Sequence, residues 1–405
     1  MKLLVIIALI ISGLYQLVLN VVQYRSANNE TPQNLKDVYD ESTYETWKKY
    51  CAEKTKLSMV SGAVVCVVSI LLLATNAYAA FASLFPSGWF AQLLAVLLLE
   101  MLIGTVIGTI FSYVSTMKIE EKYGFNRSTL KTFIIDKIRA LVLESVLMIG
   151  ILSALYGIYN WLGDWMILLF AILIFVITLA ISFLYPIFSR LGNKFTPLED
   201  GELRDRLMSL LTEHGYTVKA IEVMDASRRT TKLNAYFTGF GKLKTIVLYD
   251  NLVNSMTTDE ICAVFAHELG HGLNRDVIKS QIFNLGNLLV MSIIVWAAVS
   301  TPSLHTTFGF TEVNYGFAYI LLSVGLGLVQ PFTALVMNAR SRKAEYRADK
   351  QAVQEGYGIA MISALKKLAR ENFAHLSPSP VNVVLEYSHP PLGERIAAIE
   401  KEMKE

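Results

Sequence analysis

The chain has 405 residues, of which 53% are hydrophobic and only 17% are charged, and its formal net charge is +2. Soluble proteins carry about 25% charged residues, so this composition excludes an ordinary soluble protein and indicates a membrane protein. Intrinsic disorder is excluded as well, because so many apolar residues do not stay in water. The near-neutral charge gives no reason to expect a nucleic-acid partner.

Seven apolar segments predict transmembrane helices. A helix that crosses a membrane needs about 20 mostly apolar residues, and each segment has this character without any Lys or Arg. No small-residue cleavage site follows the first segment, so it predicts a retained anchor rather than a signal peptide. The sequence thus indicates a mainly α-helical, polytopic membrane protein. The seven segments are about 3–22, 58–84, 89–113, 140–159, 165–185, 281–300 and 316–337.

The basic residues lie on alternate loops. Six fall in 23–57, six in 114–139, twelve in 186–280 and eleven in 338–405, and Lys2 completes the total of 36. The short loops between these regions contain none. Cytoplasmic loops of membrane proteins are enriched in Lys and Arg. We therefore expect the N-terminus outside and every large polar segment in the cytoplasm.

Two acidic residues, Glu100 and Glu144, lie inside predicted spans. Ionisable groups are costly in hydrocarbon and usually face a polar interior or a partner. One interpretation places both carboxylates near helix ends or against a neighbouring helix. The other places them on a wet cavity between the helices, and the sequence leaves both open.

Hydropathy divides the chain into four regions. Residues 1–185 form an N-terminal membrane region with five spans and two cytoplasmic loops, and 281–337 contain two further spans. The polar regions are 186–280 and 338–405. Neither polar region holds a convincing core alone, so we expect both to assemble into one cytoplasmic domain. The three scattered cysteines argue against a disulfide framework and leave histidine and carboxylate side chains as candidate metal ligands.

One motif carries recognisable chemistry. The segment TTDEICAVFAHELGHGLN begins with Thr257, and Glu260 three residues later predicts a helix N-terminus. His267 and His271 are four residues apart, so both imidazoles project from one face of this helix at a separation that suits zinc. Glu268 lies beside them as the candidate general base. The alternative is a helix with two structural histidines, and six histidines in the whole chain make such a match rare by chance.

A third protein ligand is expected from another helix, because catalytic zinc sites use three protein ligands and a water. Glu345 and Asp349 are four residues apart beyond the last span. Glu345 is the candidate third ligand. Asp349 is the candidate partner of the second ring nitrogen of a ligand histidine, a bond that fixes the tautomer. The spacing alone is also typical of an exposed helix with charge pairs, so both interpretations stay open at this point.

These motifs resemble those of the type I CAAX prenyl endopeptidases, which are integral-membrane zinc metalloproteases. The resemblance rests on HELGH and on SRxxEYxAD at 341–349, and it extends to YGFN at 123–126, NAYFTG at 234–239 and SHPP at 388–391. It covers nearly the whole chain. It implies seven transmembrane helices that enclose a chamber, and a zincin-like α+β metalloprotease domain in the cytoplasm. It also implies one Zn²⁺ per chain, with Glu345 as the third ligand beside the two histidines.

The resemblance also provides candidates for substrate binding and catalysis. Residues 234–240 and 245–249 favour a β-hairpin, whose exposed edge strand is suited to hold an extended peptide; ordinary sheet structure is the alternative. His389 and Arg395 are candidates for stabilising the oxyanion of the tetrahedral intermediate or the terminal carboxylate of the substrate. For Arg395 the alternative is a bridge between helices. The candidate substrate-binding residues are Asn234, Ala235, Tyr236 and Gly239.

The predicted function is zinc-dependent hydrolysis of peptide bonds, in which Glu268 takes a proton from the attacking water and passes it to the leaving amine. The resemblance implies C-terminally prenylated CAAX proteins, or related membrane-associated peptides, as substrates. We expect a monomer in contact with membrane lipid, in a bacterial plasma membrane or, for a eukaryotic source, the endoplasmic reticulum. The alternatives are a membrane quality-control metalloprotease of broader specificity and a non-catalytic factor that clears translocating chains.

Overall fold

The structure is a computed structural model that describes residues 1–190, 192–216, 218–238 and 245–405. Its first part is helical, as the composition predicts. A π-helical segment, Val114–Glu120, continues the fourth helix. The helices of this part are α1 Lys2–Ser26, α2 Glu41–Ala74, α3 Ala77–Ala82, α4 Trp89–Tyr113, α5 Leu130–Leu162 and α6 Met166–Arg190.

The second part of the chain combines a small sheet with further helices. Its strands are β1 Phe195–Pro197, β2 Ala220–Met224, β3 Ala235–Thr238 and β4 Thr245–Tyr249. Its helices are α7 Glu202–Glu213, α8 Asp250–Ser255, α9 Thr258–Leu273, α10 Asp276–Val299, α11 Pro302–Thr306, α12 Tyr315–Gln354, α13 Gly358–Glu371, α14 Pro380–Glu386 and α15 Leu392–Glu402.

Six helical stretches of the described chain are long and apolar enough to cross a membrane. Five are continuous, whereas the sixth, Leu130–Ile181, contains α5, a 3₁₀ turn at Gly163–Trp165 and most of α6. This turn lies where the predicted spans 140–159 and 165–185 meet. The mainly helical, multi-pass architecture is thus confirmed, while the count of seven spans and the enclosed chamber stay predictions.

The second predicted span, 58–84, differs from the structure at both ends. The helix already begins at Glu41, because Asp40 Oδ1 accepts a hydrogen bond of 2.7 Å from the backbone N–H of Thr43 and caps it. It ends at Ala74, because Asn76 adopts a left-handed conformation with φ 58° that an α-helix does not contain. A single residue in an apolar run therefore divides the predicted span into α2 and α3.

The large polar segments meet at one end of the helices. Trp47 Nε1 donates to the carbonyl of Phe373 at 3.2 Å, which joins the first loop region to the C-terminal region. The backbone N–H of Arg127 donates to the carbonyl of Arg229 at 2.9 Å, which joins the second loop region to the sheet region. Lys2 lies at the other end, where Nζ contacts the carbonyl of Ala74. The four basic regions therefore share one side, as their alternation along the chain predicts.

The sheet has the strand order β1-β2-β4-β3. β4 runs parallel to β2 and antiparallel to β3, which confirms the predicted hairpin. Both faces of β4 are buried: Ile246 and Leu248 pack with Phe265 of α9, and Val247 packs with Met224 on the opposite face. This burial explains the continuous β-branched and apolar run of the strand. β3 is left as the outer strand of the described sheet.

The predicted boundaries between the four hydropathy regions fall inside continuous helices. The limit at 185 lies in α6, the limit at 280 lies in α10, and the limit at 337 lies in α12, which is 40 residues long. Hydropathy marks where a helix leaves the hydrocarbon, whereas its backbone hydrogen bonds continue past that point. α12 therefore carries the chain from the membrane region directly into the polar domain.

Glu100 and Glu144 line one cavity of about 300 Å³ between α4 and α5. Lys137 and Tyr319 also line this cavity. In addition, Tyr78 Oη donates a hydrogen bond of 2.5 Å to Glu100 Oε2. Glu100 therefore has a partner on a neighbouring helix, as the first interpretation proposed. Both carboxylates also border a cavity between helices, as the second interpretation proposed.

α4 and α12 approach each other closely inside the membrane region. A Cβ atom placed on Gly316 would lie 2.7 Å from the carbonyl oxygen of Leu93 and 3.0 Å from Cβ of Val96. Leu93, Val96 and the neighbouring Phe317 are buried. Small residues let transmembrane helices pack backbone to backbone, so Gly316 fixes the distance between these two helices.

Gly316→Ala should lower the thermal stability of the protein, because its methyl group meets backbone; such overpacking costs about 1–3 kcal/mol. Gly62→Ala is the matched control, since a Cβ atom there meets nothing within 4 Å and alanine favours helix. The measurement is the apparent melting temperature of both variants in detergent. Equal melting temperatures would contradict the close packing of α4 and α12.

Candidate metal centre

The zinc-motif helix α9 is anchored at its N-terminus. Thr257 Oγ1 accepts a hydrogen bond from the backbone N–H of Glu260, and the Glu260 carboxylate accepts one from the backbone N–H of Thr257, which is the predicted capping box. Ser363 of α13 donates to the same carboxylate at 2.6 Å. Three turns later His267 and His271 project from one face of the helix, with ring centroids 4.9 Å apart.

Small residues set the gap between α9 and α12. A Cβ atom on Gly270, inside the HELGH motif, would lie 3.0 Å from Cα of Ala348 and 2.9 Å from Cβ of Gln351. Ala348 is itself completely buried. Gly270 has only a hydrogen atom in place of a side chain, and Ala348 has only a methyl group. The two helices therefore approach closely enough for Glu345 to reach the two histidines.

The structure brings His267, His271 and Glu345 together. Glu345 Oε2 lies 3.4 Å from His267 Nε2, Glu345 Oε1 lies 3.3 Å from His271 Nε2, and one ligand atom from each residue lies within 4.8 Å of the others. Glu345 Oε2 is buried without a hydrogen bond from the described chain. A buried polar atom without a partner is costly, and a divalent cation satisfies it. Two histidines and a glutamate form a ligand set of catalytic zinc sites, so these residues fit the metal.

Asp349 lies behind His267. Its Oδ1 is 2.8 Å from His267 Nδ1, which leaves Nε2 directed at Glu345. Arg395 binds the same carboxylate twice, with Nε 2.8 Å from Oδ2 and Nη2 2.6 Å from Oδ1. The guanidinium is buried, and Nη1 lies 3.5 Å from Glu345 Oε2. These contacts correspond to the alternative in which Arg395 bridges helices.

His271 has a matching pair of partners that the sequence analysis missed. His271 Nδ1 lies 3.1 Å from Asp276 Oδ2, and Arg347 Nη2 donates to Asp276 Oδ1 at 2.8 Å. Each candidate ligand histidine thus has an aspartate on Nδ1 and an arginine beyond it. Asp276 is five residues after His271, a spacing that does not share a helix face. The left-handed turn at Arg275, with φ 54°, brings it back to the histidine.

Neighbouring carboxylates and burial change the pKa values of His271 and Glu268. Burial lowers the pKa of His271, but hydrogen bonds with Glu345 and Asp276 outweigh burial and raise it to about 9. Metal binding must displace this proton and therefore depends on pH. Burial raises the pKa of the Glu268 carboxyl. A raised pKa suits a general base that accepts a proton and then releases it.

His389 lies at the open side of the site. Its Nε2 is 3.4 Å from Glu345 Oε1, and the side chain is 63% exposed. Arg342 of α12 donates from Nη1 to the carbonyl oxygens of Val383 and Tyr387, at 2.7 Å each, and thus caps the end of α14. A cation is favourable at a helix C-terminus. The SRxxEYxAD motif therefore holds the segment from which His389 projects, a contact that the sequence analysis did not predict.

Three of the four predicted substrate-binding residues lie on or beside β3. The strand contains Ala235 and Tyr236, and the backbone N–H of Tyr249 donates to the carbonyl of Asn234 at 3.1 Å. β3 contacts α9, and its outer edge pairs with no other strand in the described part of the chain. Gly239 lies outside the described residues.

Two family models match the chain. The model described as CAAX prenyl protease N-terminal, five membrane helices, matches residues 3–190. The model described as peptidase family M48 matches residues 197–403. The junction between the two matches follows the end of α6, and together they span almost the whole chain.

Relatives and a solved structure resemble the chain over nearly its full length. CAAX prenyl protease 1 of Saccharomyces cerevisiae is 32% identical, over 97% of this chain and 95% of the relative. The human CAAX prenyl protease 1 homolog is 26% identical, over 92% and 89%. The crystal structure of S. mikatae Ste24p matches with a TM-score of 0.92 and 29% identity, over 98% and 99%. The chain therefore belongs to peptidase family M48, carries the N-terminal region of the CAAX prenyl proteases, and is a membrane metalloendopeptidase.

Proposed function

We propose that this metalloendopeptidase uses zinc, bound by His267, His271 and Glu345, to hydrolyse a peptide bond near the C-terminus of prenylated CAAX proteins. The observation that carries the proposal is the convergence of these three side chains, with the unsatisfied Glu345 Oε2 between them and Glu268 beside them. The names of the relatives, which match over almost the whole chain, support the substrate class.

Bound zinc would polarise the scissile carbonyl and lower the pKa of water. Glu268 takes a proton from the attacking water and delivers it to the leaving amine. His389, at the open side of the site, donates a hydrogen bond to the oxygen of the tetrahedral intermediate. Asp349 and Arg395 hold His267 in the tautomer that directs Nε2 toward the metal. The substrate backbone pairs with the outer edge of β3 at Ala235 and Tyr236, next to Asn234.

The distribution of basic residues indicates which side of the membrane the metal centre faces. The basic regions lie together at the metal-centre end, and such regions face the cytoplasm, so we place the site there. We expect a monomer in contact with membrane lipid. The relatives named above come from eukaryotes; the endoplasmic reticulum and the bacterial plasma membrane both stay predictions.

Glu268→Gln should retain zinc and lose about 10²-fold or more in the rate of peptide cleavage, because the amide cannot accept the proton of water. Glu213→Gln on the exposed side of α7 is the control and should cleave at the normal rate. The measurements are cleavage of a farnesylated CAAX peptide and zinc content by elemental analysis. Normal cleavage by Glu268→Gln would refute the assignment of the base, and loss of zinc would show that Glu268 has a structural role.

Asp276→Asn should weaken zinc binding by about 10–100-fold, the usual effect of removing a partner of a ligand histidine. Asp259→Asn in α9, the helix that carries His271, is the control, because its carboxylate binds Arg206 at the exposed surface. Zinc affinity is measured by competition with a chelator of known affinity. If both variants bind zinc equally well, Asp276 does not support His271.

A further inference from the structure

We propose that the groove between α10 and α12 binds an anionic phospholipid, with its phosphate on Lys279 and Arg340 and an acyl chain along the apolar residues beyond them. The groove has a volume of about 420 Å³. It lies outside the metal centre, and the proposal does not depend on the substrate or on catalysis. The lining residues are Lys279, Ile282, Phe283, Gly286, Asn287, Val290 and Arg340.

No carboxylate of the described residues neutralises the positive charge of the groove. Lys279 and Arg340 have no carboxylate within 4.0 Å in the described ranges, and the nearest acid along α10, Asp276, is already bound by Arg347. Arg275 and Lys343, within four residues of them in sequence, add further positive charge. Two cations without a carboxylate partner near a membrane surface attract anionic headgroups.

The guanidinium of Arg340 is held in place. It lies 4.7 Å from the ring centroid of Phe283, and Nη2 lies 3.5 Å from the carbonyl oxygen of Lys279. Its remaining N–H groups are free of carboxylates in the described chain. A stacked guanidinium presents its donors in one plane, a geometry that suits two phosphate oxygens. This arrangement differs from a lysine or arginine that extends from a helix end into solvent.

The walls of the groove become apolar away from the cations. On α10 the exposed positions Ile282, Gly286 and Val290 follow one another at four-residue spacing. On α12 the exposed residues Phe332 and Val336 precede Arg340 at the same spacing. The distance from Lys279 to Val290 along the helix is about 16 Å. Exposed apolar side chains on membrane-spanning helices face lipid, so this surface accommodates an acyl chain below the headgroup.

Gly286 provides the depth of the groove. A Cβ atom placed there meets nothing within 4 Å, so the position is open rather than packed against a neighbouring helix. Any side chain at this position would extend into the space between the walls. The cations and the glycine therefore offer two independent ways to block the same site.

The test is native mass spectrometry of the full-length, delipidated protein, titrated with phosphatidylglycerol and, separately, with phosphatidylcholine. The wild type should bind phosphatidylglycerol more tightly than phosphatidylcholine. The double variant Lys279→Gln/Arg340→Gln should lose about tenfold or more of the affinity for phosphatidylglycerol. Gly286→Leu should reduce binding of the same lipid, with a melting temperature like that of the wild type.

Two matched controls separate this site from general attraction to cytoplasmic basic residues. Lys56→Gln/Lys118→Gln removes the same charge from exposed cations that also lie over aromatic rings, and it should bind phosphatidylglycerol normally. Gly150→Leu fills another open helical position and should bind normally as well. The proposal is refuted if the wild type shows no headgroup preference, if both double variants lose affinity equally, or if Gly286→Leu binds like Gly150→Leu.

Discussion

The position of the Glu345 carboxylate between His267 and His271 is the constraint on which the rest of the polar domain depends. One carboxylate oxygen faces each histidine, and Oε2 is buried without a hydrogen bond from the described residues. A buried carboxylate is costly unless cations join it, and Arg395, with Nη1 3.5 Å from Oε2, supplies one positive charge beside the proposed metal. The anchored N-terminus of α9, the small contact at Gly270 and Ala348, and the aspartate–arginine pairs all serve to hold this geometry.

The continuous helix α12 connects this site to the membrane. Its first turn packs against α4 at Gly316, and its later turns contribute Glu345, Asp349 and the arginine that holds the His389 segment. One continuous helix therefore joins the metal centre to the apolar helices. The Lys279–Arg340 groove lies at the same end of α10 and α12 as the metal centre.

The sequence predicted the multi-pass helical architecture, the β3–β4 hairpin and the clustering of the polar regions at one end of the helices, because hydropathy, strand pattern and charge are local signals. It also selected His267 and His271 as candidate ligands, which the structure brings together with Glu345, and Glu268 as the candidate base. The spacing of Glu345 alone left two interpretations open until the family resemblance was considered. Asp276 was missed because a left-handed turn, rather than helical spacing, brings it to His271. Asn76 was missed because one polar residue does not interrupt a hydropathy window, although its conformation ends the helix.

The most direct test of the account is cleavage of a farnesylated CAAX peptide and its unprenylated twin by purified protein whose zinc content is measured in the same sample. We predict one zinc per chain, preferential cleavage of the farnesylated peptide, loss of activity after chelation, and recovery when zinc is restored. Cleavage by protein that contains no zinc would contradict the metal centre. Equal cleavage of the two peptides, with zinc bound and required, would contradict the proposed substrate class and favour a protease of broader specificity.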